Sequence, residues 1–241
     1  MLRRKQLALS TPEWKSIPWQ SIPKNLKDVL VDVLVDMPGL IQEFDEMQLC
    51  TEPSNQAERR VKLIDKCWEH DRQLLNWSSL VFREVNPGTQ PCTDPLSVDL
   101  VTRIAQVHGM SLFWTTSLIL YSIFHMAAGP EEDLPDRMNP MSHALQLADA
   151  ISILLQPTAG LYGQQSAALP LEVALQYTAL LGLRSPSAGH GSVLSMLRAL
   201  KDNLGTGLGL MIKGKGREQI ATGEASKARE YPARREPGNS R

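Results

Sequence analysis

The sequence predicts an all-α protein, an irregular multi-helix bundle around a central apolar helix at about residues 95–128. Apolar residues recur every three to four positions in several segments, the spacing of a helix that buries one face. No segment shows the alternation and β-branched enrichment of strands. Between Arg103 and Glu131 there is no Asp, Glu, Lys or Arg, so this stretch is apolar all round, as a buried helix is.

The chain is predicted to have three parts. Residues 1–22 form an extended N-terminal arm, because the tryptophans and prolines of Trp14–Pro23 follow no helical period and are expected to pack onto the body. Residues 23–212 form the helical domain, and residues 213–241 form a disordered basic tail. The formal net charge is −1, but from Thr206 onward eight Lys or Arg stand against four Glu, which leaves the body acidic.

Two helical regions are predicted before the centre. Lys24–Val35 has amphipathic spacing, Pro38-Gly39 breaks or kinks it, and the apolar stripe then resumes. Gln56–Val81 is the clearest helix, with charged and amide residues along one side. Its other side is predicted to collect these apolar positions: Val61, Ile64, Cys67, Trp68, Leu74, Leu75, Trp77 and Val81.

Cap and proline signals place the later helices. Asp94-Pro95 and Asn139-Pro140 each predict a helix start, with an N-cap followed by proline at the first helical position. The second of these helices is predicted to end near Pro157, and its stripe is Met141, Leu145, Ala148, Ile151 and Leu155. A Gly- and Gln-containing loop then leads to Pro170, which starts another helix. A loop over Ser185–Ser192 precedes the last helix, which carries Val193 to Leu204.

The central stretch, Pro95–Gly129, is open to three interpretations: a membrane span, the buried helix of a bundle, or the wall of an apolar ligand pocket. It is long enough to cross a bilayer. However, it contains several hydroxyl and imidazole side chains, no marked basic cluster brackets it, and the amphipathic helices around it need a partner. We therefore expect a buried helix and no membrane. If an apolar ligand binds, the predicted pocket residues are His108, Trp114, Tyr121 and His125.

The composition provides no catalytic, cofactor or metal site. The three cysteines are too few and too scattered for a disulfide framework, and no secretory signal is evident, so reduced thiols are expected. Cys67 and His70 could share a metal, but a structural zinc site needs about four ligands, so a core histidine is the preferred interpretation. His190 lies in a Ser- and Gly-rich loop with no Asp positioned to orient it.

Four stretches resemble one family, the regulatory domain of fungal zinc-cluster transcription factors (the fungal-specific transcription factor domain). Residues 19–47 look like its tryptophan–proline segment leading into a helix that ends at Pro-Gly-Leu. Residues 63–77 resemble the next helix, with its leucine and tryptophan repeat. Residues 113–126 are similar to its aromatic, Leu-rich helix, and residues 148–177 resemble its helix, Gly loop and Pro-Leu start. The resemblance covers roughly Trp19 to Leu210 and rests on the order and spacing of the motifs.

The resemblance implies a helical regulatory domain over residues 23–212 that works in the nucleus, or alternatively in the cytoplasm, in transcriptional control of a metabolic gene cluster. Members of this family read DNA through six cysteines that hold two zinc ions. Only three cysteines occur here, so direct DNA binding is not carried over. Partners would be the transcription machinery or a homologous factor, with a small-molecule effector. The chain is then either a regulatory domain standing alone or part of a longer factor, which an in-frame six-cysteine stretch upstream of Met1 would reveal.

The alternative function is an all-α small-molecule-binding protein or enzyme with an apolar cavity. His108, Tyr121 and His125 would then face that cavity. This alternative requires two or more titratable groups that converge in one pocket, and histidines found far apart would count against it.

Overall fold

A computed structural model describes residues 7–85, 100–129, 132–184 and 189–204. The structured elements in these ranges are helical, and none of them contains a β-strand, which confirms the all-α fold class. The predicted disordered tail and the Asp94-Pro95 helix start lie outside the described residues. Residues up to Lys201 form one compact unit, and residues 202–204, which are also helical, belong to a second.

Eight α-helices and four short 3-10 turns follow one another along the described parts of the chain. The α-helices are α1 (Pro12–Ser16), α2 (Leu26–Leu34), α3 (Met37–Gln48), α4 (Pro53–Val85), α5 (Leu100–Ala128), α6 (Pro140–Leu154), α7 (Gly160–Arg184) and α8 (residues 189–204). The 3-10 turns are Ala8–Ser10, Ile17–Trp19, Asp136–Met138 and Pro157–Ala159.

Helix α5 is the centre of the bundle, as predicted. It packs against α2, α3, α4, α6 and α7. Every residue from Leu118 to Phe124 is buried. Among the residues described, α5 is the one helix long and apolar enough to cross a membrane, yet 67% of its most apolar window is buried inside the bundle.

Two buried threonine hydroxyls on α5 bond to the helix itself, whereas the buried Oγ atoms of Ser117 and Ser122 have no hydrogen-bond partner among the described residues. Thr115 Oγ1 donates to the carbonyl oxygen of Ser111 at 2.6 Å, and Thr116 Oγ1 donates to that of Leu112 at 2.8 Å. A buried hydroxyl without a hydrogen bond is costly, and bonding to the preceding turn removes that cost. Thr115 and Thr116 can therefore lie in an apolar core without an unsatisfied hydroxyl group.

The N-terminal segment is not the extended arm that the sequence predicts. Residues 8–19 form two 3-10 turns on either side of α1. Thr11 caps α1, because its Oγ1 accepts the backbone N–H of Trp14 at 3.4 Å, and Pro12 occupies the first turn, where its missing N–H costs nothing. The Trp14 side chain does not pack onto the body either, since it is 56% exposed.

The predicted helix start at Pro170 is wrong, because α7 runs unbroken from Gly160 to Arg184 with this proline inside it. The turn lies earlier. Gly160 has φ +58°, which lets the chain leave the 3-10 turn, and a Cβ on Gly163 would lie 2.1 Å from the carbonyl oxygen of Leu154. The glycines therefore serve the close contact between α6 and α7 and do not mark a loop.

Other local predictions are confirmed, or are corrected by a few residues. The break near Pro38-Gly39 is real, but it falls just before them, and Pro38 lies in the first turn of α3. The predicted start at Asn139-Pro140 is confirmed, because Asn139 Oδ1 accepts the backbone N–H of Met141 at 3.0 Å. Residues 189–192, predicted to lie in a loop, are already helical. Three positions predicted on buried stripes are exposed: Val61, Leu75 and Leu145.

Candidate functional site: a buried aspartate between three helices

The four predicted pocket residues all lie on α5 but do not converge. His108 and His125 are separated by 17 positions, which is about 26 Å along a helix axis. His108 is near the start of α5, where its Nδ1 lies 2.8 Å from the hydroxyl oxygen of Tyr162 in α7. Trp114 is half-buried in between, and Tyr121 lies on the buried part of the helix. The alternative of one cavity lined by both histidines is therefore not supported.

Polar side chains from several elements do come together around Asp71 of α4. We call Asp71, Tyr121, His125, Arg137 and His143 the Asp71 cluster. The Asp71 side chain is almost fully buried, and its carboxylate accepts the Tyr121 hydroxyl at Oδ1 (2.9 Å) and the Arg137 guanidinium at Oδ2 (2.7 Å). One buried carboxylate thus joins α4, α5 and the segment between α5 and α6.

The two histidines of the cluster bind the backbone beside Arg137. His143 Nε2 lies 2.8 Å from the carbonyl oxygen of Arg137, and His125 Nε2 lies 3.2 Å from that of Met138. Since a carbonyl oxygen can only accept, both Nε2 atoms carry the proton. The His143 ring also lies against Tyr121, with ring centroids 5.1 Å apart. The 3-10 turn Asp136–Met138 is therefore bound by side chains of α4, α5 and α6.

The environment of the cluster disfavours both nucleophile and base chemistry on its ring groups. Burial, and then the neighbouring Asp71 carboxylate, raise the pKa of Tyr121, so its hydroxyl stays a donor. Burial lowers the pKa of both His125 and His143, against the opposing effect of their carbonyl partners. What the cluster can do with these groups is bind an arginine and a turn of backbone.

Sequence reasoning missed three of the five cluster residues, namely Asp71, Arg137 and His143. One signal was present. Asp71 lies four residues after Cys67 and three before Leu74, so helical spacing places it on the buried face of α4. A charged residue on a buried face requires a partner, and Arg137 was the nearest basic residue after the apolar stretch of α5.

Two surface grooves lie elsewhere. A groove of about 750 Å³ is lined by Cys50 and Asn55 and by charged residues of α3 and α4. A second, of about 590 Å³, lies between α3, α4 and the end of α5, and its apolar lining includes Met47, Val61, Ile64 and Met126. Neither groove contains any of the four predicted pocket residues.

The pair Cys67 and His70 has the environment of core residues. Cys67 is fully buried, and burial followed by the charge of Glu43 raises the pKa of its thiol to about 12. Burial also lowers the pKa of His70. Within the described parts of the chain, no three His, Cys, Asp or Glu side chains come together in a way that could hold a metal ion.

Comparisons with protein-family models, with curated proteins and with solved structures find no match to this chain.

Proposed function

We propose that this chain is a helical regulatory module of the transcription-factor type, which acts through protein contacts. The observation that carries the proposal is that the four stretches resembling the fungal regulatory domain fold into one bundle. Residues 19–47 contain α2 and α3, residues 63–77 lie in α4, residues 113–126 in α5, and residues 148–177 in α6 and α7.

The aromatic residues of these stretches bind one another. The indole N–H of Trp77 donates to the carbonyl oxygen of Leu26 at 2.6 Å, and its ring stacks on Phe113 with centroids 5.2 Å apart. Trp68 meets Phe124 edge to face at 4.9 Å. The tryptophans of the second stretch therefore contact the first and third stretches, which supports treating the motifs as parts of one domain.

The surface supports action through protein contacts. Trp14, Ile17 and Ile22 are each more than half exposed and lie within nine residues of the chain. Exposed aromatic and branched side chains of this kind are frequent anchors at protein interfaces. In this proposal the module works in the nucleus, alternatively in the cytoplasm, with the transcription machinery or a homologous factor as partner.

The proposal also includes a small-molecule effector, but its expected binding site differs from the one predicted from the sequence. The groove of about 590 Å³ has the size of ligand sites and is walled by Met47, Ile64 and Met126. It replaces the segment from His108 to His125 as the place to look for an effector.

A tethering assay tests the proposed function. The chain is fused to a heterologous DNA-binding domain, and transcription of a reporter with the matching operator is measured in a fungal host, together with co-purification of partners. We expect a change in reporter output that is lost when Trp14, Ile17 and Ile22 are replaced together by serine. A matched variant replaces the exposed polar residues Glu58 and Gln73 by alanine and should keep the response. No reporter response and no co-purified partner would contradict the proposal.

A further inference from the structure

The segment between α5 and α6 is fastened to the bundle through a few polar contacts. We call residues 132–139 the strap. Most of its residues are exposed, whereas the Met138 side chain is fully buried and anchors the strap to the core. Three further contacts hold it: the Asp71 carboxylate on the Arg137 guanidinium, His143 Nε2 on the Arg137 carbonyl, and His125 Nε2 on the Met138 carbonyl.

The unused nitrogen of His143 makes these contacts sensitive to protonation. Its Nδ1 is buried and has no hydrogen-bond partner, and the whole side chain is only 9% exposed. Since Nε2 already donates to the Arg137 carbonyl, an added proton must go on Nδ1, where no acceptor lies within reach. A buried N–H on a charged ring without an acceptor is strongly unfavourable, whereas water satisfies it once the ring is exposed.

The charged groups around His143 do not remove that cost. From α4 the Asp71 carboxylate faces the cluster, but both of its oxygens are engaged, one by Tyr121 and one by Arg137. From α5 the ring of Tyr121 lies against His143, and the strap itself brings the positive charge of Arg137.

His125 faces the backbone of Met138 from α5. The carboxylates of the strap, Glu132, Asp133 and Asp136, are exposed to solvent.

We propose that the strap is a latch that acid releases: protonation of His143 favours a state in which residues 132–139 leave the bundle and uncover Asp71 and Tyr121. The open state hydrates both rings and breaks the Asp71–Arg137 pair. It leaves the packing of α5 against α4 and α7 in place, because none of those contacts passes through the strap. This inference does not depend on the proposed function.

The size of the effect follows from linkage. If an open-state imidazole has the ordinary pKa near 6.5 and the closed state takes no proton, opening becomes about 10-fold more favourable per histidine between pH 7.5 and 5.5. Of the two histidines, His143 is the one with a buried, unpartnered Nδ1, so the expected change is about 10-fold. Closing is favoured above pH 6.5, where both rings are neutral in either state, and is lost progressively below it.

Amide hydrogen exchange tests the latch directly. The reporting amides are Met138, which donates to the Pro135 carbonyl at 2.8 Å, and Asn139, which donates to the Asp136 carbonyl at 3.0 Å. Exchange is measured at pH 7.5 and 5.5 on the full chain and corrected for the intrinsic pH dependence of exchange. The main variant is His125→Gln with His143→Gln, since glutamine can still donate but does not titrate. His108→Gln, at the other end of α5, is the matched control.

We expect protection of the strap to fall by about 10-fold between the two pH values in the native chain and in the His108 variant, and by less than about threefold in the double variant. Amides in the middle of α4 and α5, which exchange through global unfolding, should stay far better protected than the strap at both pH values. The proposal is overturned if strap protection does not change with pH, or if the double variant loses it equally. It is also overturned if the strap amides at pH 5.5 are as strongly protected as those of α4 and α5, because the strap would then open only with unfolding of the bundle.

Discussion

Replacing Asp71 by alanine should destabilise the bundle far more than replacing any exposed acid of the same helix. The native carboxylate is 1% exposed and accepts two hydrogen bonds, one from a buried tyrosine and one from an arginine. The variant removes both acceptors at once. It leaves the Tyr121 hydroxyl inside the protein with no partner, while Arg137 can turn towards water.

The expected loss of unfolding free energy follows from the different exposure of Tyr121 and Arg137. An unpaired buried hydroxyl costs about 1–3 kcal/mol. The Arg137 side chain is 42% exposed, so loss of its ion pair is discounted towards the ~0–1 kcal/mol of surface pairs. Together the free energy of unfolding should fall by about 1–4 kcal/mol, a large part of the 5–15 kcal/mol typical of a domain.

Urea unfolding followed by circular dichroism measures this loss. Asp65→Ala, on the exposed side of α4, is the matched control and should change the unfolding free energy by no more than about 0.5 kcal/mol. In a double-mutant cycle, Tyr121→Phe should cost about 1–2 kcal/mol in the native background and little when Asp71 is already absent. Equal effects of the Asp71 and Asp65 variants, or additive effects of the Asp71 and Tyr121 variants, would refute the role assigned to the buried carboxylate.

Three further results are expected. Gly163→Ala forces a Cβ into the backbone of α6 and should lower the unfolding free energy by more than about 2 kcal/mol. Gly109→Ala, with nothing within 4 Å of its Cβ, should be neutral or stabilising by up to about 1 kcal/mol. Equal effects of the two variants would contradict the close packing of Gly163 against α6. In a Cys92→Ser background, a thiol reagent at pH 8 should modify half-exposed Cys50 and leave buried Cys67 untouched until the protein unfolds, and rapid labelling of both would count against the core. Burial lowers the pKa of the imidazoles at positions 70, 125 and 143 below the ordinary value, so the unfolded chain binds more protons than the folded one. The free energy of unfolding should therefore be highest above about pH 6.5 and decline as the pH falls through that value. Urea midpoints that do not change between pH 7.5 and 5.5 would contradict this prediction.

The sequence predicted best where a structure depends on neighbouring residues. The Asn139-Pro140 start is an example, since the cap bond runs from a side chain to a backbone N–H two residues away. The burial of α5 was also predictable, because the stretch after Arg103 carries no charged side chain and the hydroxyls of Thr115 and Thr116 bond to the backbone of the preceding turn. Both features are confirmed.

Prediction failed where a residue's environment is set by distant parts of the chain. Pro170 usually marks a helix start, but here α7 begins at the α6–α7 corner, where Gly163 lies against the backbone of Leu154. Val61 was assigned to the buried stripe of α4 and is 59% exposed, whereas Leu63, two residues later, is 1% exposed. Local spacing describes one helix and cannot show how far its neighbours extend.

The candidate site shows the same limit more strongly. The partners of Asp71 lie 50 and 66 residues further along the chain, so no local pattern connects them. Histidines 108 and 125 share one helix, which suggested a common pocket. The length of that helix separates them instead, and each binds a different neighbour.

Everything proposed above depends on α5 being the core of a bundle in water and not a membrane anchor. Amide exchange of residues 112–128 in detergent-free buffer at pH 7.5 is the most direct test. The structure predicts that the chain is recovered without detergent and that these amides are the slowest to exchange, opening only with global unfolding. Recovery only with detergent, or exchange in this helix as fast as in the exposed turns of residues 8–19, would contradict the account.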